Sequence, residues 1–185
     1  LDGLDGILKV GHDSNCLILV GYNHNLTKNT QRAGAILEGG DIGTPKSIHI
    51  RWLEHWGGIF NAHPWLDGPA DTYLGYYHRG GGACAEHSHA VSLWQHFARV
   101  LRLGEVSEVV SVMDMCSLEE IEYDRTAQMI LTTTQGFTGT VIQDVVTEPT
   151  IKTLRIQGDE GFVEWYAGYN AGNDALVYGL TNTDP

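Results

Sequence analysis

The run Gly80-Gly81-Gly82-Ala83-Cys84-Ala85-Glu86-His87-Ser88-His89 gathers the residue types best suited to chemistry in this chain. A glycine-rich turn ahead of a helix can cradle a phosphate on free backbone N–H groups. This run lacks the Walker lysine and the Gly-x-Gly-x-x-Gly spacing of such cradles. His87-x-His89 could instead ligate a metal, although the helix that follows offers no carboxylate at 93 or 94, where Leu93 and Trp94 stand. The plainest reading is that both histidines only hydrogen-bond the helix entrance and the backbone. The residues themselves leave these three readings open.

A second constellation lies upstream. Trp52, Trp56, Trp65, Tyr76 and Tyr77 are interleaved with His55, His63, His78 and Arg79. Aromatic faces pack on sugar C–H surfaces, while His and Arg can donate hydrogen bonds to hydroxyls or a carboxylate. The competing reading is a satellite core beneath a long loop, or a subunit contact. His78 and Arg79 adjoin the glycine run and are the first choices for substrate contact.

The elements that must position these residues can be read from periodicity. Leu1–Gly11 reads as a short helix interrupted by glycines, and residues 16–21 as an apolar strand buried on both faces. Ala33, Ile36 and Leu37 sit at helical spacing after Thr27 or Asn29, with Gly39-Gly40 as the stop, which predicts a helix over 28–38. Residues 47–54 alternate, with Ile48, Ile50 and Trp52 on one face and His49 and Arg51 on the other. Residues 55–79 form a long irregular stretch, of the kind used as lids or binding loops. A helix follows from about 90 to 102, its stripe made by Val91, Trp94, Phe97, Ala98 and Leu101. Strands are expected at 107–116, 125–134, 137–147, 151–157 and 161–166. Short turns at Gln135-Gly136 and Gly158–Gly161 predict an antiparallel meander. The fold class is α+β, a largely antiparallel open sheet covered by helices on one face. An apolar second face would then need a partner subunit.

Composition narrows the function. The 185 residues carry 11 Lys+Arg against 23 Asp+Glu, a formal net charge of −12. That argues against binding duplex nucleic acid or anionic membrane surfaces, both of which need basic residues. Hydrophobic residues at 42% can build a core, and the length suits one domain of the usual size, roughly 100–200 residues. No apolar run approaches the roughly 20 residues that span a bilayer, and no basic signal-peptide region opens the chain. Three widely spaced cysteines, Cys16, Cys84 and Cys116, suggest buried thiols in a reducing compartment, hence a cytoplasmic protein. Glycine, at 23 residues, exceeds its usual share of about 7%, as turn-rich β structure would require.

From Val20-Gly21-Tyr22-Asn23 onward the chain resembles the C-terminal, dihydrodipicolinate-reductase-like domain of the Gfo/Idh/MocA family of nicotinamide-dependent oxidoreductases. The landmarks occur in order: Gly21-Tyr22-Asn23, a helix closing on Gly39–Pro45, the glycine run leading to His89, Asp124 opening a strand, a turn at Gly136, and Ile156–Gly161. The resemblance spans about residues 12–170. It implies that His89 is the catalytic acid/base, with Glu86 as the acidic residue before it and Asn23, His78 and Arg79 as substrate contacts. It further implies NAD or NADP as cofactor, a sugar, polyol or related hydroxyl or keto compound as substrate, and a homodimer or homotetramer built through the open sheet face.

Four positions depart from the family pattern. Ala85 stands where some relatives have aspartate, Ser92 where aspartate often follows the histidine, and His24 and Asn25 where arginine tends to follow Tyr-Asn. No Gly-x-Gly-x-x-Gly and no Glu-Lys-Pro occurs. Residues 1–21 accordingly resemble only the end of a dinucleotide-binding half. Residues 22–185 then form the substrate-binding and oligomerisation domain, cut short at its C-terminus, and the fragment alone is expected to be inactive.

The chemistry at His89 agrees with the resemblance. A hydride leaves a carbinol only as the hydroxyl proton is taken up, so a base poised near neutral pH is needed, and imidazole is that base. A helix N-terminus disfavours imidazolium, whereas a nearby Glu86 favours it. Two alternatives stand beside this reading: a non-catalytic binding or assembly domain of the same fold, and a metal-dependent enzyme built on His87 and His89.

Overall fold

Two fully buried tryptophans fix how the helices meet the sheet. In the computed structural model, which describes residues 3–170 and 172–181, β1 (Pro45–Leu53) buries Ile48, Ile50 and Trp52 and exposes His49 and Arg51. This is the alternation the sequence predicts. Trp94 of α5 (His89–Val100) lies across that face and donates its Nε1–H to the Ile48 carbonyl at 3.3 Å. The close approach needs Gly139 beneath the indole, because a Cβ there would meet Ile48 O at 2.3 Å and Trp94 Nε1 at 2.5 Å.

Helix α2 (Lys28–Gly39) begins at Thr27, whose hydroxyl accepts the Thr30 N–H at 3.2 Å, and ends at Gly40 in the left-handed conformation. Both signals were legible in the sequence. The expected 90–102 helix is α5, which starts one residue early at His89 and ends at Val100, and a separate short α4 (Gly82–Glu86) precedes it. The irregular 55–79 stretch contains α3 (Gly57–Ala62) and three 3-10 turns at 69–71, 73–75 and 77–79.

The sheet has seven strands: β1, β2 (Val106–Leu118), β3 (Ile121–Thr133), β4 (Thr138–Asp144), β5 (Ile151–Gly158), β6 (Gly161–Asn170) and β7 (Asn173–Leu180). Their spatial order is β2-β3-β4-β1-β5-β6-β7, so the fold is α+β with a mostly antiparallel sheet. The expected uninterrupted meander is corrected here. β1 inserts between β4 and β5 and runs parallel to β4, because residues 145–150 are long enough to cross over one strand. The last strand, β7, escaped the sequence reading.

The 16–21 segment is the clearest departure. It forms no strand, and Leu17, Leu19 and Val20 are at least three-quarters exposed. Hydrophobicity alone cannot make a strand without a neighbouring edge to pair with, and no described strand pairs with this segment. It follows α1 (Leu4–Asp13), whose Ile7 and Val10 are also exposed. The expectation of buried thiols fails at Cys16, which is exposed, while Cys84 and Cys116 are half-buried and all three are unpaired. Among the described residues no helix is long and apolar enough to cross a membrane.

Helices cover one sheet face, packing on Ile50, Trp52, Leu131, Val141, Leu154, Ile156 and Trp165. The other face is most apolar toward β2–β4, where Val110, Val112, Ile130 and Ile142 sit. Toward β1, β5 and β6 it carries His49, Arg51, Arg155 and Glu164.

Candidate functional site

The 3-10 turn at Asn23–Leu26 lies against the start of α5 and is fixed there by side chains. Tyr22 donates from its hydroxyl to Ser88 Oγ at 3.4 Å, and Asn25 donates from Nδ2 to Ser92 Oγ at 2.9 Å. On the other side, the Thr30 hydroxyl donates to the His24 carbonyl at 2.7 Å, which ties the turn to α2. Between these anchors, His24 is held edge-on to His89, with ring centroids 4.8 Å apart and planes at 82°.

Both imidazoles rest on tryptophans of the sheet. His24 meets Trp52 edge-on at 4.7 Å, and His89 stacks on Trp52 at 5.8 Å and 27°. Trp52 in turn stacks on Trp165 at 6.0 Å. Three buried polar atoms here find no hydrogen-bond partner among the described residues: His24 Nδ1, Asn25 Oδ1 and His89 Nδ1. Burial pushes the His89 pKa down, helped by the Lys152 charge and opposed by Glu86. His24 is likewise lowered, by burial first and then by His89 and Lys152, against Asp174 and Glu54. Both are therefore biased toward the neutral form, in which one ring nitrogen can accept a proton.

The residues singled out from sequence fall in three places. His89 is the first residue of α5, and Asn23 is exposed at the head of the adjoining turn. Glu86, at the end of α4, accepts a hydrogen bond from the Tyr73 hydroxyl at 2.5 Å, and its charge acts on His89. His78 and Arg79 sit on the exposed turn at 77–79. Arg79 lies 4.3 Å over the Tyr76 ring and His78 packs edge-on to Tyr76 and Tyr77. No hydrogen bond or ring contact joins either to His89 among the described residues.

Asp124 closes the phosphate reading of the glycine run. Its Oδ2 accepts the Cys84 N–H at 2.7 Å, and a Cβ on Gly82 would meet its Oδ1 at 2.0 Å. The N–H groups that would hold a phosphate already face a buried carboxylate. Burial pushes the Asp124 pKa up, and the Cys84 and Ala83 N–H groups pull it back. The metal reading gains no support either. His87 is buried at 3% exposure, and no three His, Cys, Asp or Glu side chains converge to hold an ion among the described residues.

The aromatic stretch divides as well. Trp52 belongs to the main core. Trp56 belongs to a small second core with Leu74, Ala83 and Val145, as the satellite-core reading expects, while Trp65 and Tyr77 remain exposed. Sequence reasoning missed Trp165, Lys152 and Asp174. Only Lys152 left a signal, a charge in phase with Leu154 and Ile156 along β5.

Residues 30–164 match the family model of the GFO/IDH/MocA C-terminal domain. No curated protein matches the chain by sequence. Several solved structures share the fold. The WlbA dehydrogenase from Bordetella pertussis, solved with NADH and UDP-GlcNAcA, is 17% identical with a TM-score of 0.67 over 96% of this chain and 50% of its own. An inositol dehydrogenase homolog from Azotobacter vinelandii, solved with NAD+, is 13% identical with a TM-score of 0.65 over 94% and 46%. A levoglucosan dehydrogenase, solved with NADH and levoglucosan, is 19% identical with a TM-score of 0.66 over 90% and 48%. The chain thus spans about half the length of these solved relatives.

Proposed function

Because this chain belongs to the Gfo/Idh/MocA family as its C-terminal domain, we propose that it forms the substrate-binding half of a nicotinamide-dependent dehydrogenase acting on a sugar, polyol or related hydroxyl compound. The observation that carries the reading is His89 itself. It is a half-buried imidazole at the start of α5, held against His24 and Trp52, with its pKa lowered and its Nδ1 buried. Nδ1 being enclosed, Nε2 is the nitrogen that meets the substrate hydroxyl.

In this reading His89 takes the proton from the carbinol oxygen as the C–H hydride departs, and returns it in the reverse direction. The nicotinamide, when bound, supplies the hydride acceptor. The glycine run before α5 does not suit its pyrophosphate, since Asp124 already faces the N–H groups there. Cofactor binding is therefore assigned to a separate dinucleotide-binding half, of which residues 1–21 would be the end. The Glu86 charge opposes the loss of basicity at His89, and Asn23 offers an amide to a neighbouring substrate hydroxyl. His78 and Arg79 would reach only a larger substrate that extends to the 77–79 turn. The solved relatives carry a sugar nucleotide acid or an anhydrosugar, which supports the sugar-like class. The apolar end of the open sheet face supports a homo-oligomer, and the low count of unpaired cysteines a cytoplasmic setting.

The test is an assay of the chain together with its proposed dinucleotide-binding half for reduction of NAD+ and of NADP+ with a panel of polyols, hexoses, anhydrosugars and sugar acids, and for the reverse reaction with the matching ketones. Turnover with at least one member supports the reading. Absence of turnover in both directions with both cofactors would favour the alternative, a non-catalytic domain of the same fold.

A further inference from the structure

The helix-facing side of β5 runs Lys152, Leu154, Ile156, and the last two are buried at 1% and 0% exposure. A lysine in that series needs an explanation, because an apolar residue of similar volume would pack there without desolvating a charge. Glu54, the residue after β1, meets Lys152 at 2.6 Å between Oε2 and Nζ, and the side chains are only 27% and 19% exposed. Lys152 is also the register partner of Trp52, with Nζ 5.1 Å from the centroid of its ring. That ring is the one that carries His24 edge-on and His89 stacked.

We propose that the Lys152–Glu54 pair is a second functional element of the site, a charge anchored beside Trp52 that acts on the His24, His87 and His89 imidazoles as a group. The geometry of the pair stands by itself, while its consequence for turnover rests on the dehydrogenase reading. Lys152 is a positioning residue, since it acts through the imidazoles and not on the substrate.

The groups facing the imidazoles come from every packed element. His89 faces Lys152 from β5 and Glu86 from α4. His24 faces His89, Lys152, Glu54 and Asp174 of β7, and His87 faces Glu54, Glu86 and Lys152. Lys152 acts on all three, each time against protonation and in the same direction as burial. Glu54 acts on His24 and His87 in the opposite sense. The pair therefore sets the charge balance of the site: the lysine helps to keep the base neutral, and the glutamate limits how far that bias extends to the other two rings.

The experiment compares Lys152→Met, Lys152→Arg, Glu54→Gln and the double variant Lys152→Met/Glu54→Gln in the full protein. Histidine ring resonances are followed across pH by NMR, together with the pH profile of nicotinamide-linked turnover. Lys152→Met should move the His89 titration, and the acid limb of turnover with it, to higher pH. Glu54→Gln should move His24 and His87 to lower pH, and Lys152→Arg should leave all three near their original positions. The double variant leaves no unpaired buried charge, so it should fold even if a single variant does not, and it should retain the upward move of His89. A double variant whose His89 titration is unmoved overturns the proposal. The expected shifts in a protein that shows no nicotinamide-linked turnover before mutation would support the pair and overturn the dehydrogenase reading.

Discussion

Asn25 donates from Nδ2 to Ser92 Oγ across 2.9 Å, joining the 3-10 turn at residues 23–26 to α5 three residues after His89. Asn25 and Ser92 are two of the positions at which the sequence departs from the family pattern. The structure makes those two departures one interaction, a neutral pair beside the His24–His89 contact.

Breaking that bond should loosen the turn. Ser92→Ala and Asn25→Ala should each cost about 0.5–1.5 kcal/mol, the net value of a neutral hydrogen bond. Denaturant unfolding of the single variants and of the double variant measures the coupling. Strictly additive losses would show that the bond contributes nothing.

His89→Ala should lower turnover by roughly 10²–10⁴-fold, the usual share of general acid–base catalysis. Cofactor affinity should stay nearly unchanged, since the pyrophosphate is assigned to another half. Steady-state kinetics with a titration of the cofactor separate the two effects. Turnover within a few-fold of the unmutated protein removes His89 from the mechanism.

Gly82 adopts φ +84°, and an added Cβ would strike Asp124 Oδ1. Gly82→Ala should cost at least ~1–3 kcal/mol from backbone strain alone and should disturb α4, which leads into Glu86 and His87. Gly58→Ala, where no atom lies within 4 Å, is the control. Equal melting temperatures for the two variants would contradict this account of the turn.

Burial lowers the pKa of His24, His87, His89 and His96 below the ordinary 6.5. The unfolded chain then binds more protons than the folded one once the pH drops below that value, so stability should be fully present above about 6.5 and lost as pH falls. His87 is fully buried, at 3% exposure, while the other three are half-buried, so it should contribute most. Thermal unfolding between pH 7 and pH 5 reads the effect, and His87→Gln should flatten the slope. An unchanged slope in that variant would place the acid sensitivity elsewhere.

Val110, Val112 and Ile130 are each at least half exposed on the open face of β2 and β3. Exposed apolar patches of this kind usually mark an interface, most simply a two-fold one. Val112→Asp should shift the assembly toward smaller species by light scattering. A stable monomer of the unmutated protein at micromolar concentration would end this expectation.

Sequence alone determined the elements whose signals are local. A cap at Thr27 or Asn29 and the Gly39-Gly40 stop bracket α2, and strict alternation marks Ile48, Ile50 and Trp52 as the inner face of β1. The glycine run before His89 marks a helix entrance, because a positive φ such as that of Gly82 is readily open only to glycine. Tertiary structure decided what depends on neighbours distant in sequence. Nothing local in β1 says that it lies between β4 and β5, and the apolar run at 16–21 reads as a strand until no edge is found for it. The site was divided in the same way. His89 was legible because its helix start is local. His24, Trp165, Lys152 and Asp174 were not, because they converge from a turn and three strands whose sequence separations exceed any periodicity. Cross-strand register and helix docking bring them together, and both are set by burying the Trp52, Trp94 and Trp165 surfaces, on the order of 150–250 Å² each, away from water.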